Sequence, residues 1–416
     1  MSSLRVAIFE PDASGHRLHH VRLLAEAVNA MAGATPVTVT SDAALHSEPY
    51  QVHLAGLRDE VRHDVVPIGS GGRLGPPDAK ANALIGYLRE NETHHVIVPY
   101  ADGLTQCLGL RALQGRFRRK QGVEIEGLLM RGLFAYAEPS GFVQRAREAV
   151  RRQAWLRLTA AAPLDVVHWL DPIPYREIAS RGGGLARRSA LMPEPVEAIE
   201  DVGPREARER LGLPVDGRLI GCVGGIDRRK GCDRLIEAFA VAKLPEDVKL
   251  VLVGKHEPAV ADRLRSTHAT LLSRGQIISI DRYLSDADFD SALCAVDVLA
   301  TVYPRHVGSS GLVVRAAAAG RTVLSSDWGW LGWAVTTFGL GTVCDARSPD
   351  AIARAMPLAL ARGAETATGV VSADAAAFAS YHTVDNFVAH WTRRLHERIG
   401  TPPPRRLEWS TVESLS

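Results

Sequence analysis

Short runs of β-branched and aliphatic residues alternate along the chain with longer stretches whose apolar positions recur every three or four residues. The first run, Leu4–Phe9, reads as a strand. It is followed by a turn at Gly15 and a helical pattern that places Leu18, Val21, Leu24 and Val28 on one face. Further strand-like runs lie at 36–40, 64–68, 95–99, 124–130 and 165–169, most of them separated by helix-length segments. That rhythm predicts a parallel sheet covered on both faces. A second series begins at 218–223 and continues through 248–253, 276–280, 298–302 and 322–325. The chain is therefore expected to be α/β, with two doubly wound Rossmann-like domains.

Between the two series, Met192–Pro195, the acidic stretch 197–201 and a short helical segment ending at Gly212 and Pro214 mark a linker. This divides the chain into an N-terminal domain over 1–195 and a C-terminal domain over 196–381. A closing helix over 382–399, with Phe387, Val388, Trp391 and Leu395 on one face, is expected to pack back on the first domain. The prolines at 402–404 stop it, leaving 400–416 as a loose tail.

Composition narrows the function. The 416 residues are 46% hydrophobic and 23% charged, as in folded water-soluble proteins. Lys plus Arg number 49 against 47 Asp plus Glu, too even a balance for a dedicated nucleic-acid binder. The five cysteines are scattered with no CxxC pair, so they read as reduced, mostly buried thiols. With no signal-peptide pattern and no long apolar span, the expected location is cytoplasmic. The segment 111–158 holds eleven Lys and Arg against four Glu, which allows at most peripheral membrane contact and otherwise reads as a solvated helix face.

Ligands of open parallel sheets sit beyond the C-terminal strand ends, where helix N-termini present free N–H groups. Two loops of the second series have the chemistry for a diphosphate. Gly224, Gly225, Ile226, Asp227, Arg228, Arg229, Lys230 and Gly231 follow one strand and precede a helix, joining backbone access to three consecutive cations. After the strand 298–302 come His306, Gly308, Ser309, Ser310 and Gly311. Here a serine can cap the next helix and His306 can donate to a phosphate or sugar oxygen. Arg282 and Tyr283, at another strand end, are placed to meet a nucleobase.

The segments Gly224–Phe239, Val248–Lys255, Ser279–Phe289, Asp297–Pro304 and Ser309–Gly329 together resemble the donor domain of glycosyltransferase family 4. The first half resembles that family only in layout, through its opening strand, the Gly15–His16 loop and the Met192–Pro195 turn. The resemblance implies a retaining GT-B enzyme whose two domains face each other across a cleft. Its donor would be a nucleotide-diphosphate sugar, UDP- or GDP-linked. The C-terminal domain would hold this donor, and the N-terminal domain a saccharide, lipid-linked or small-molecule acceptor. Lys230 falls on the family's phosphate-binding lysine. Gly225 stands where the family has an arginine, which implies that Arg228 or Arg229 supplies that charge. The family's two glutamates are replaced by Val307 and Arg315, so their contacts would be rebuilt through His306, Ser309 and Ser310. A catalytically silent nucleotide- or glycan-binding protein of the same fold is the alternative, and an NAD-linked enzyme is disfavoured by the absence of GxGxxG.

Candidate catalytic residues are Lys230, His16 and Asp102, with Gly15, His16 and Asp102 on the acceptor side. Asp102 either orients an acceptor hydroxyl or closes an Asp-Gly turn. His16, His19 and His20 have a spacing compatible with a metal but lack a nearby Cys or Asp, and Asp286-Ala287-Asp288 reads as a helix start after Ser285. No obligatory metal or other cofactor is expected. The glycine-rich stretch 69–75 matches a dinucleotide loop poorly and reads as a cleft loop.

Overall fold

A computed structural model describes residues 3–69, 75–117, 119–138, 141–200, 202–366 and 372–409. The chain forms two compact units. The first runs to Pro195 and includes Val384–Arg406, and the second comprises Val196–Thr383 and the stretch from Leu407.

In the first unit the strands are β1 (Leu4–Phe9), β2 (Ala34–Ser41), β3 (Arg62–Val66), β4 (His95–Val98), β5 (Glu124–Leu129), β6 (Val166–Trp169) and β7 (Ser189–Leu191). All pair in parallel, in the order β3-β2-β1-β4-β5-β6-β7. Val6 on β1 stands opposite Pro36 on one side and His95 on the other. The helix Arg17–Asn29 buries Leu18, Val21, Leu24 and Val28. These join Val6, Ile8 and Ile97 in one core, to which the helix Val384–Ile399 adds Phe387, Trp391 and Leu395.

The second unit holds β8 (Arg218–Val223), β9 (Val248–Val253), β10 (Ile277–Ile280), β11 (Val298–Thr301), β12 (Thr322–Ser326) and β13 (Gly341–Cys344), parallel in the order β10-β9-β8-β11-β12-β13. Both sheets are doubly wound and Rossmann-like, as the strand and helix rhythm predicts. The patterning misses β7 and β13, which are short edge strands. The linker segment becomes the helix Pro204–Leu211, closed by Gly212 at φ 65°. Arg208 pins it through hydrogen bonds to the Ala295, Val215 and Gly217 carbonyls and an ion pair with Asp297.

The stretch after Ile399 differs from the expected loose tail as far as Trp409. That indole is buried against Trp333, Phe338 and Tyr381 in the second unit, and apolar area of this size is enough to fix a chain end. No helix among the described residues is long and apolar enough to cross a membrane.

Candidate functional site

In each unit the strand order reverses between the first and fourth strands, β1 and β4 in one and β8 and β11 in the other. Loops leaving such a pair diverge to opposite faces, which opens a crevice at the C-terminal strand ends. The candidate loops of the second unit follow β8 and β11.

After β8, Gly224 and Gly231 adopt φ values of 91° and 74°, a region that L side chains rarely enter. A Cβ on Gly231 would lie 2.3 Å from the Val302 carbonyl oxygen and 3.2 Å from Pro304 Cδ. The missing side chain is therefore what lets the two loops pack together. A Cβ on Gly224 would stand 3.3 Å from Lys230 Nζ, so the ammonium lies over the end of β8. Asp227 shapes this turn by accepting from the Lys230 N–H at 2.7 Å, and Gly225 is exposed beside it.

The two arginines behave differently from the expectation that one of them supplies the missing charge. Arg228 and Arg229 have side chains 66% and 67% exposed and lie 3.8 Å from Asp233 and 3.4 Å from Asp227. Half-buried Lys230 has no carboxylate partner among the described residues, which makes it the loop's available cation.

After β11, Gly308 turns the chain at φ 93° into the helix Gly311–Ala318. Ser310 occupies the N-cap position, but its side chain makes no capping hydrogen bond, so of the two candidate serines Ser310 does not act as a side-chain cap. Its extended backbone directs the Ser310 carbonyl into the helix, where it accepts from Val313 and Val314. The leading N–H groups of that helix are left for solvent or an anion. His306 is already engaged, its Nε2–H donating to the Ser309 carbonyl at 2.8 Å. It shapes the loop rather than presenting that proton to a ligand.

Arg315 is drawn away by Asp290, whose Oδ1 is 3.1 Å from its guanidinium, and it lies over the Phe289 ring at 4.8 Å. Its charge is thus satisfied within the unit. Tyr283 is 82% exposed at the end of β10, and Arg282 beside it pairs with Asp288 at 2.6 Å. That guanidinium holds the Asp288 carboxyl below its usual range. Ser285 accepts from the Asp288 N–H, so Asp286–Asp288 forms a helix start, as the sequence predicts.

In the first unit Gly15, at φ 63°, and exposed His16 lead into the helix Arg17–Asn29. Asp102, after β4, turns inward. Its two carboxylate oxygens accept from the Met130 and Arg131 N–H groups, tying the ends of β4 and β5 together. Burial raises its pKa. The Asp102–Gly103 turn that the sequence predicts forms just before the helix Leu104–Leu113, and the carboxylate is taken up by main-chain donors of β5. His20 is buried, with its pKa pushed down to about 3 by desolvation, and stacks on Tyr100. Among the described residues no cluster of three or more His, Cys, Asp or Glu is placed to hold a metal ion. The basic segment becomes in part the helix Phe142–Ala161, which exposes Phe142, Val143 and Val150. Of the glycine-rich stretch 69–75, residues 70–74 lie outside the described residues.

Sequence reasoning missed Glu10. This side chain sits directly after β1 and is 1% exposed. Its oxygens accept from the Asp12 N–H at 3.0 Å and from Arg17 Nη1 at 3.0 Å. Arg17 also lies 4.4 Å above the Tyr100 ring, and Lys80 pairs with Asp12 at 3.3 Å. The group thus bridges the ends of β1 and β4. The signal was an acid directly after a mostly apolar strand with an arginine as the first residue of the next helix.

Burial raises the Glu10 pKa from 4.5 to about 7 against the pull of Arg17 and Lys80. The native state therefore keeps a proton that the unfolded chain releases, and this contribution to stability declines as pH rises from about 4.5 to about 7. Urea unfolding at pH 5 and pH 8 should show that decline, and Glu10→Gln should flatten it. Equal slopes in the two proteins would contradict the assignment.

Comparison with known proteins places these loops in a family context. Residues 204–368 match the model of glycosyl transferases group 1. The D-inositol 3-phosphate glycosyltransferase of Geodermatophilus obscurus is 30% identical over 243 residues, covering 53% of this chain and 51% of that protein. That of Xylanimonas cellulosilytica is 32% identical over 218 residues, covering 51% and 48%. The chain spans about half the length of the curated relatives it matches. Among solved structures, Anabaena HepE in complex with UDP superposes with a TM-score of 0.67 at 15% identity, over 95% of this chain and 100% of that one. Sucrose-phosphate synthase from Thermosynechococcus elongatus gives 0.65 at 18% identity, over 95% and 99%. The fold is that of the GT-B glycosyltransferases, and the second unit carries the sequence pattern of glycosyl transferases group 1.

Proposed function

We propose that the chain is a glycosyltransferase of the family 4 type, which moves a sugar from a nucleotide-diphosphate donor to an acceptor with retention of configuration. The donor is a UDP- or GDP-sugar held by the second unit. Its diphosphate lies between Lys230 and the uncapped N-terminus of the helix Gly311–Ala318, and its base lies toward Arg282 and Tyr283. The acceptor, a saccharide, lipid-linked or small molecule, binds the first unit over Gly15 and His16, beside Glu10 and Arg17. The protein works in the cytoplasm, with at most peripheral membrane contact through the helix Phe142–Ala161.

One observation carries this reading. Gly231 packs without a side chain against Val302 and Pro304, which brings the two loops after β8 and β11 together. In sugar transfer negative charge develops on the departing diphosphate, and fixed donors aimed at that group lower the barrier. Lys230 and the helix N–H groups supply such charge, so the proposed reaction calls for no metal at the leaving group.

Purified protein incubated with UDP-, GDP- and ADP-sugars should release the nucleotide from one of them, slowly by donor hydrolysis and faster once an acceptor is found. A second reading, a silent nucleotide-binding protein, is favoured by Val307 and Arg315 at the positions of the family's glutamates. Saturable nucleotide binding with no release across donors and acceptors would establish it.

A further inference from the structure

Two cysteines bracket the first loop of the second unit. Cys222 lies on β8 just before its end, and Cys232 opens the helix Cys232–Val241 directly after Gly231. Both are buried and reduced, and their sulfurs are 3.3 Å apart beneath the loop. Buried Tyr303, from the loop after β11, lies close enough to both thiols that their charges would act on it. The hydrogen bond with Cys232 holds the Cys222 thiol below its ordinary value despite burial, and the Lys230 ammonium adds to the effect. The same contact, with burial, pushes Cys232 up. Thiolate is the reactive form, and the Lys230 ammonium beside the pair favours it at either sulfur.

We propose that Cys222 and Cys232 form a reversible disulfide across the Gly224–Gly231 loop, with a hydroperoxide as oxidant, and that this bond clamps the loop in a form that holds nucleotide poorly. The Cys222 thiolate attacks one peroxide oxygen. An S–O bond forms, the O–O bond breaks, and the departing hydroxide takes the proton released by Cys222 to leave as water. The Cys232 sulfur then attacks the resulting sulfenic acid. The S–S bond forms, the S–O bond breaks, and a second water leaves with the Cys232 proton. Two thiols have lost two electrons, and hydrogen peroxide has been reduced to two waters.

The clamp follows from geometry. A disulfide holds its sulfurs at about 2.04 Å, so closing the present 3.3 Å takes rotation of the two side chains together with a shift of the helix start toward β8. Gly231 packs directly on the loop after β11, where a Cβ would meet the Val302 carbonyl at 2.3 Å, so a shift of the helix start disturbs that contact. The displacement falls on the turn that carries Lys230. Formation of the bond is independent of the donor reading, and only its effect on nucleotide affinity rests on that reading.

The test treats the full chain with hydrogen peroxide, then measures intact mass, maps the peptides and titrates UDP by calorimetry, before and after dithiothreitol. The expected results are the loss of two hydrogen masses, a linked Cys222–Cys232 peptide, and UDP affinity lowered about tenfold and restored by the reductant. Cys232→Val, which keeps a small apolar side chain, should bind UDP as the reduced protein does and lose its sensitivity to peroxide. Cys222→Ala provides the same comparison if that variant fails to fold. Cys107→Ser, which alters a thiol far along the chain in the first unit, should remain sensitive.

Peroxide-treated protein with residues 222 and 232 still unlinked would overturn the proposal. A linked peptide with unchanged UDP affinity would overturn the clamp. Reduced protein that fails to bind UDP, GDP or ADP at all would overturn the donor reading, while a linked peptide in the same sample would still support the disulfide.

Discussion

Lys230→Ala is expected to weaken nucleotide-diphosphate binding by about 1.5–3 kcal/mol, roughly a factor of 10 to 150 in Kd. The size follows from the removal of a charge-assisted contact that nothing nearby replaces. Arg228 and Arg229 are the neighbouring cations, but both are largely exposed and already face Asp233 and Asp227. Exposed pairs of this kind contribute up to about 1 kcal/mol, so Arg228→Ala and Arg229→Ala should have much smaller effects. Calorimetric titration of the three variants with UDP and GDP checks the ranking. Equal losses across the three, or none at Lys230, would contradict it.

Glu126→Ala is expected to destabilise the first unit by about 3–5 kcal/mol, the scale for removing one partner of a buried ionic cluster. Glu126 lies in the middle of the sheet, with His168 Nε2 at 2.7 Å and His95 Nε2 at 3.1 Å. All three side chains are buried, and Arg394 of the terminal helix approaches the same carboxylate at 3.7 Å. Without the acid, the buried ring nitrogens of His168 and His95 lose the carboxylate they face, while Arg394 keeps its closer partner Glu124 at 2.8 Å. Burial alone would raise the Glu126 pKa, but the bonds to His168 and His95 outweigh it and pull it from 4.5 to about 2. A lowered carboxyl pKa stabilises the fold above the unfolded value, and that stabilisation is lost as pH falls from about 4.5 to about 2. Urea unfolding at pH 7 should show the full loss for Glu126→Ala and a smaller one for Glu126→Gln, which keeps a hydrogen bond. Stability within about 0.5 kcal/mol of wild type, as for an ordinary surface substitution, would contradict this account.

The parallel sheets are legible in the sequence because buried strands read as short β-branched runs. β7 escapes because three residues are too few to show a pattern, and β13 because it is only four residues long and opens on Gly341. The glycine- and cation-bearing turn after β8 is equally legible, since a strand followed by glycines and cations is a local signal. What the local signal lacks is partners. Arg228, Arg229 and Lys230 look equivalent in sequence, and only the fold brings Asp233 and Asp227 to the arginines while leaving the lysine over Gly224.

The Asp102–Gly103 turn is legible as a local signal, whereas nothing in the sequence reveals that the Met130 and Arg131 N–H groups take up the Asp102 carboxylate. Glu10, followed by Pro11 and Asp12, resembles a solvated turn until Arg17 and Tyr100 close over it. The cluster at Glu126 depends on strand register, which sets its neighbours on β4 and β6. The cysteines at 222 and 232 looked scattered because only the return of the loop brings their sulfurs together.

The claim on which the functional account rests is that the loops after β8 and β11 jointly hold a diphosphate. A crystal structure of the full chain grown with UDP tests it directly. The account predicts diphosphate density within hydrogen-bond reach of Lys230 Nζ and of the leading N–H groups of the helix Gly311–Ala318. A nucleotide seated away from these two loops, with Lys230 directed into solvent, would contradict it.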